Sequence, residues 1–215
     1  MGGKAKSALN NFLYHSDQMS LDLGGMPIKR KGRNMPKHGQ ALYFAALPTS
    51  KIAKLTAEMT WDQSRRNGLR REPRQYDLYH TTIYPLDVAH RAREEAIVAA
   101  MDAASTIYMS SFELVYDCVA TFGGRGNHQY VLWRRRGNEE LKMLRRELYA
   151  ALQCAGFDTE APESYEPHMT LFYCGRVLPE SMLERPIRWI VRSLMLVNSF
   201  QGDSEHGHIW EWPLS

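Results

Sequence analysis

The sequence predicts an α+β fold with mainly antiparallel sheets. Short apolar or alternating segments of strand length are interleaved with three segments that have the 3.6-residue periodicity of amphipathic helices. They do not follow the strict β-α-β-α order that predicts a parallel sheet. With 215 residues, of which 44% are apolar, the chain is long enough to bury a core of its own.

Three segments predict helices. The first begins after Pro48, with Thr49 or Ser50 as its N-cap. The second runs from Asp87 to Ala103 and the third from Asn138 to Ala155. The apolar residues expected to face the core are Ile52, Leu55 and Met59 in the first helix, Val88, Ala92, Ala96, Ile97, Ala100 and Met101 in the second, and Leu141, Leu144, Leu148 and Leu152 in the third.

Strand patterns occupy the rest of the chain from residue 41 onward. ALYFAAL at residues 41–47 precedes the first helix, and apolar and polar residues alternate over 112–118. QYVLWR at 129–134 is a continuous apolar run. Two further strands are predicted near the C-terminus, RWIVRSLMLVNSF at 188–200 and HIWEWPL at 208–214.

The first 39 residues differ in composition from everything that follows. They contain six glycines and seven basic residues against two acidic ones, whereas the remainder has 20 basic and 22 acidic residues. We therefore predict a flexible basic N-terminal extension over 1–39 and a single folded domain over 40–215. The extension suits either an electrostatic arm for nucleic acid or a solvated tail.

Cysteine usage and hydropathy bear on location. Cys118, Cys154 and Cys174 are too few and too scattered for a disulfide framework. No apolar run approaches the roughly 20 residues of a membrane span, and residues 1–19 lack the apolar core of a signal peptide. We expect a cytoplasmic monomer that does not associate with membranes.

Two short segments share one pattern. His80-Thr81-Thr82-Ile83 and His168-Met169-Thr170-Leu171 both have the form H-x-T followed by an apolar residue, and they lie 88 residues apart. Because strand side chains alternate between faces, the histidine and threonine of each segment would share one face of a sheet. This spacing is typical of an internal duplication of one strand-helix unit.

Two such segments suit phosphodiester chemistry without a metal. Attack on phosphorus needs one group that takes a proton from the incoming oxygen and another that gives a proton to the leaving oxygen. Histidine performs both tasks near neutral pH, and a threonine hydroxyl beside each imidazole is a donor for the phosphate oxygens. For either segment alone, a structural histidine in a strand is the simpler explanation.

The paired motifs resemble the 2H phosphoesterase superfamily, in particular its LigT-like branch of 2′-5′ RNA ligases and RNA 2′,3′-cyclic phosphodiesterases. The similarity extends over about residues 41–215, through ALYFAALPTSKIAKL, GFDTEAPESYEPHMTLFYCG and the closing strands. It implies two similar α+β lobes, related by a pseudo-two-fold axis, with the motifs facing each other across a central cleft. Thr81 departs from the pattern, since this position is usually apolar in the family.

The resemblance also implies roles for individual residues. His80 would donate a proton to the leaving oxygen, His168 would activate water, and Thr82 and Thr170 would hold the phosphate of an RNA end or a cyclic nucleotide. No cofactor or metal is implied. The symmetry of the two motifs leaves the assignment of acid and base dependent on the direction of the reaction.

Other side chains are weaker candidates for substrate contacts. Tyr43 and Tyr165, with Trp133, are aromatic residues that could stack on a base, and Arg134 could reach a phosphate. The segment DSEHGH at 203–208 contains metal-ligand residue types in a turn-like context, where we expect no metal site. Two other functions stay open: a nucleotide- or RNA-binding module of the same fold with little catalysis, and a metal-dependent hydrolase that uses the histidines as ligands.

Overall fold

In the computed structural model, the described residues are 40–69, 72, 74–86, 93–123, 128–157, 165–200 and 205–215. The predicted N-terminal extension, residues 1–39, lies outside them, and so does the predicted start of the second helix at 87–92. Within this described part, no helix is long and apolar enough to cross a membrane.

Eight antiparallel strands form one sheet, which confirms the predicted α+β class. Their spatial order is β6-β3-β4-β5-β2-β1-β7-β8. The strands are β1 (Gln40–Ala46), β2 (Thr81–Leu86), β3 (Phe112–Phe122), β4 (His128–Trp133), β5 (His168–Cys174), β6 (Ser181–Val191), β7 (Ser193–Phe200) and β8 (Glu205–Pro213).

Three helices lie between the strands: α1 (Ser50–Arg66), α2 (Arg93–Ala104) and α3 (Glu139–Cys154). The Thr49 hydroxyl caps α1 by accepting a hydrogen bond from the Ile52 amide. The four leucines predicted for α3 are buried, and so are three of the residues predicted for α2, which are Ile97, Ala100 and Met101. Ala96 is half-buried, and Val88 and Ala92 lie outside the described residues.

The buried face of α1 differs from the prediction. Leu55 is 47% exposed, whereas the fully buried positions include Thr56, Thr60 and Ser64. The Thr60 hydroxyl donates to the Thr56 carbonyl at 2.7 Å and accepts from the Tyr79 hydroxyl at 3.2 Å. The Thr60 hydroxyl is therefore satisfied locally, whereas the buried Thr56 hydroxyl has no hydrogen-bond partner among the described residues.

The segment predicted as one strand over 188–200 is two strands, β6 and β7, separated at Arg192. These strands occupy distant positions in the hydrogen-bonded order, yet one residue connects them. The sheet must therefore curl until its β6 edge approaches β7. The Leu214 amide, which follows β8, donates to the Arg192 carbonyl at 2.7 Å.

The sheet divides into two halves with the same internal order. One half is β2-β1-β7-β8 and the other is β5-β4-β3-β6, and the two meet where β2 pairs with β5. The unit β1-α1-β2 begins at residue 40 and the unit β4-α3-β5 begins at residue 128, which is the same 88-residue offset that separates the two motifs. This correspondence supports a duplicated strand-helix-strand unit arranged about a pseudo-two-fold axis.

Candidate active site

The two motifs lie side by side at the centre of the sheet. Thr81 of β2 and Met169 of β5 are directly opposite each other, and both are fully buried. The residues on either side of Thr81 and Met169 point to the opposite face of the sheet. They are His80, Thr82, His168 and Thr170, and all four are half-buried. The structure thus brings together the four residues that the sequence predicted as a site.

The two imidazoles are held in the same way. Nδ1 of His80 lies 2.9 Å from the Leu78 carbonyl, and Nδ1 of His168 lies 2.9 Å from the Glu166 carbonyl. A carbonyl only accepts, so Nδ1 carries the proton in both rings. When either ring is neutral, its Nε2 is therefore the unprotonated atom and the one that can exchange a proton with a substrate.

Each motif ends in a β-bulge. Phe44 and Ala45 of β1 are opposite Tyr84 and Thr82, which leaves Ile83 as the extra residue. In the second half Tyr130 and Val131 are opposite Phe172 and Thr170, which leaves Leu171 as the extra residue. A bulge resets the alternation, so Ile83 and Leu171 point into the core together with the residue that follows each of them. This explains why an apolar residue follows each H-x-T triplet.

The surroundings of His168 favour its neutral form. The edge of the Phe122 ring packs against the imidazole, with ring centroids 5.2 Å apart. Burial lowers the pKa of His168, and this effect outweighs the hydrogen bond to the Glu166 carbonyl, which raises it. At neutral pH His168 is therefore an unprotonated base.

The surroundings of His80 are different. The Tyr43 ring stacks on the imidazole, with centroids 4.9 Å apart and planes 25° apart. Tyr43 is itself buried, and burial raises the pKa of its phenol, which stays neutral. The face of an aromatic ring attracts a cation, so this contact suits a protonated His80.

Gln129 is a site residue that the sequence did not predict. The Thr170 hydroxyl donates to its Oε1 atom at 3.1 Å. Gln129 and Tyr43 have equivalent positions in the strand pairing. Gln129 lies two residues before the residue opposite Thr170, and Tyr43 lies two residues before the residue opposite Thr82. The 88-residue offset does not pair these two positions, because it matches Tyr43 with Val131. No signal in the sequence therefore identified Gln129.

Tyr165, Arg134 and Trp133, which the sequence also predicted to contact substrate, interact with other side chains or with the backbone of the protein. The Tyr165 hydroxyl donates to the Thr82 carbonyl at 2.6 Å, and the Arg145 guanidinium lies over its ring. Arg134 forms an ion pair with Asp117 at 3.1 Å, and Trp133 packs against Phe122. Stacking by Tyr165 and phosphate binding by Arg134 stay predictions.

Metal-binding residue types do not converge in the described part of the chain, where no group of three or more His, Cys, Asp or Glu side chains could hold an ion. Residues 203 and 204 of the DSEHGH segment, and the side chains of Glu205 and His206, lie outside the described residues.

Comparisons with known proteins agree with this fold. The family model described as the 2′-5′ RNA ligase superfamily matches residues 48–202. Escherichia coli LigT complexed with 3′-AMP is similar over 83% of this chain and 99% of its own, with 21% identity and a TM-score of 0.67. TT0787 of Thermus thermophilus covers 81% of this chain and 97% of its own, with 15% identity and a TM-score of 0.58. A search of curated protein sequences gives no significant match. Since the family model spans more than two thirds of the chain, the protein belongs to the 2′-5′ RNA ligase superfamily of 2H phosphoesterases.

Proposed function

We propose that the protein is a metal-independent phosphodiesterase that opens 2′,3′-cyclic phosphates at the ends of RNA or oligonucleotides. The matched Nδ1 bonds carry this proposal, because they keep a proton on Nδ1 of both His80 and His168 and so make Nε2 the atom that exchanges a proton with substrate. The LigT structure complexed with 3′-AMP supports it, since that ligand is a nucleoside with a terminal phosphate.

In the proposed reaction, His168 Nε2 takes a proton from water as the water oxygen attacks phosphorus. His80 gives its Nε2 proton to the ribose oxygen as the ring P–O bond breaks, which produces a phosphomonoester and a free hydroxyl. The next turnover needs the proton to return from His168 to His80 through solvent. With an RNA 5′-hydroxyl in place of water, the same steps form a 2′-5′ phosphodiester.

The hydroxyls of Thr82 and Thr170 would contact the non-bridging phosphate oxygens, on which charge increases in the transition state. Tyr173 is the ring best placed for a nucleobase, because it is 48% exposed and directly opposite Gln129 in the strand pairing. Substitution Tyr173→Ala should raise KM for an RNA end more than kcat falls. An unchanged KM would exclude this role.

The decisive experiment compares His80→Asn and His168→Asn with the wild type on 2′,3′-cyclic mononucleotides and on an RNA oligomer with a cyclic end. We expect each substitution to lower kcat by about 10²- to 10⁴-fold. His208→Asn, on an exposed position of β8, is the matched control and should retain activity. Product analysis that separates 2′- from 3′-phosphates identifies the oxygen protonated by the acid.

Three outcomes would overturn the proposal. Full activity in either catalytic variant would exclude two-histidine catalysis, and loss of activity on treatment with EDTA would favour the metal-dependent alternative. A wild type that binds these ligands without turnover, with binding that survives both substitutions, would instead indicate a nucleotide- or RNA-binding module.

A further inference from the structure

Three consecutive residues of the first motif are hydrogen-bonded to side chains of the opposite half. The hydroxyls of Thr81 and Tyr116 lie 2.8 Å apart. The Tyr165 hydroxyl donates to the Thr82 carbonyl at 2.6 Å, and the Arg145 guanidinium donates to the Ile83 carbonyl. We call Tyr116, Arg145 and Tyr165 the clasp.

The clasp is internally connected, with Tyr116 buried and with Arg145 and Tyr165 half-buried. The Arg145 guanidinium lies between the rings of Tyr84 and Tyr165, at 4.6 and 4.4 Å from their centroids. Burial raises the pKa of Tyr116 and of Tyr165, and the Tyr165 phenol adds to the shift at Tyr116. Both hydroxyls therefore stay protonated and able to donate throughout the working pH range.

Among the described residues, no side chain of the first half donates a hydrogen bond to the carbonyl of Thr170 or Leu171, the counterparts of Thr82 and Ile83. The position three residues before the first motif, as Tyr165 is three residues before the second, holds Asp77, whose carboxylate cannot donate such a bond. Met169, which corresponds to Thr81, has no hydroxyl. The clasp therefore acts on one side of an otherwise duplicated site.

The placement of the clasp matters because the halves make little direct contact at the motifs. The described register between β2 and β5 consists of the single pair Thr81 and Met169. Beyond that pair, the clasp supplies hydrogen bonds that a longer strand ladder would otherwise provide. The separation of His80 from His168 depends on how this junction is held.

We propose that Tyr116, Arg145 and Tyr165 are positioning residues that hold His80 and Thr82 in register with His168 and Thr170. The inference rests on the proposed function, because it assigns the clasp to the geometry of proton transfer. It also accounts for Thr81: the hydroxyl at this position, unusual for the family, is the partner of Tyr116.

The test uses Tyr165→Phe and Tyr116→Phe, each of which removes one hydroxyl and keeps the ring. We expect kcat for a 2′,3′-cyclic nucleotide to fall about tenfold for each and about 100-fold for the double variant, with KM changed by less than about threefold. Thr81→Val removes the other partner of the Tyr116 bond with little change in shape, and it should match Tyr116→Phe.

Tyr130→Phe is the matched control. The Tyr130 hydroxyl is also buried and also reaches the other half, where it donates to Gln63 Oε1 at 3.3 Å, but it contacts neither motif. If this variant lowers kcat as much as Tyr165→Phe, the effect is general destabilisation and the proposal fails.

Histidine NMR separates this proposal from the proposed function. In Tyr165→Phe the Cε1–H resonance of His80 should shift or broaden, while in Tyr130→Phe it should not. A His80 signal that is unmoved in both clasp variants overturns the proposal. If the wild-type protein turns over no cyclic phosphate, the proposed function fails, and the NMR comparison alone still decides whether the clasp positions His80.

Discussion

A negative charge introduced beside Thr170 should weaken the binding of a phosphate at this position. In Gln129→Glu, the Thr170 hydroxyl can still donate to the side chain of residue 129, as it does at 3.1 Å in the wild type. The substitution therefore allows the same hydrogen bond in the ligand-free site, replaces the amide NH2 with an oxygen and adds a negative charge. When a phosphate binds, the single Thr170 hydroxyl proton must turn from residue 129 to the phosphate oxygen. The effect of the substitution on catalysis reports whether a phosphate binds next to Thr170.

The size of the effect follows from the geometry. A phosphate oxygen bound to Thr170 would lie about 2.8 Å from the hydroxyl, so that the new carboxylate would be about 6 Å from the phosphate charge. At an effective dielectric constant of about 20, the repulsion is about 2.8 kcal/mol. This corresponds to a loss of about 100-fold in kcat/KM.

Initial rates on a 2′,3′-cyclic nucleotide, measured at low and high salt, provide the assay. Salt should recover part of the loss, because screening weakens the repulsion. Gln153→Glu makes the same chemical change at an exposed position on α3 and should stay within about twofold of the wild type. If Gln129→Glu retained activity within about threefold, the phosphate would not be held beside Thr170.

Other substitutions test the surroundings of the site and the core. Because burial lowers the pKa of His168, the acid limb of kcat/KM should lie below about pH 6.5, and Phe122→Ala should move it upward as the ring becomes solvated. With a lowered pKa at His168, the folded state binds fewer protons than the unfolded state just below about pH 6.5. The free energy of unfolding should therefore fall as the pH decreases through this region, which denaturant titrations can measure. Tyr43→Leu removes the ring stacked on His80 and should lower kcat more than it raises KM in steady-state assays. Leu148→Ala in the fully buried stripe of α3 should cost about 2–5 kcal/mol of unfolding free energy, and a loss below about 1 kcal/mol would contradict the packing.

Local periodicity was sufficient to predict the elements whose burial follows a simple repeat. The leucine stripe of α3 is fully buried as expected, because each leucine falls on one face of a 3.6-residue helix. The alternation within each H-x-T segment likewise placed His80 and His168 on the accessible face of neighbouring strands. In both cases the pattern that predicts the structure lies within a few consecutive residues.

Features that depend on distant contacts could not be predicted in this way. Leu55 was expected in the core, but the face of α1 with small residues packs there, where the distant Tyr79 hydroxyl donates to Thr60. The break at Arg192 depends on curling of the whole sheet. Gln129 could not be found from the 88-residue offset, because the residues opposite Thr82 and Thr170, which are Ala45 and Val131, lie 86 residues apart.

The differences between the halves, rather than their similarity, give the proposed reaction a direction. Two identical motifs could exchange the roles of acid and base. Phe122 and burial keep His168 neutral, whereas the Tyr43 ring beneath His80 suits a cation. The proton should therefore begin on His80 and leave with the ribose oxygen on that side of the cleft. If product analysis and the variants placed the acid at His168 instead, the neighbours of the motifs would not determine the direction of proton transfer.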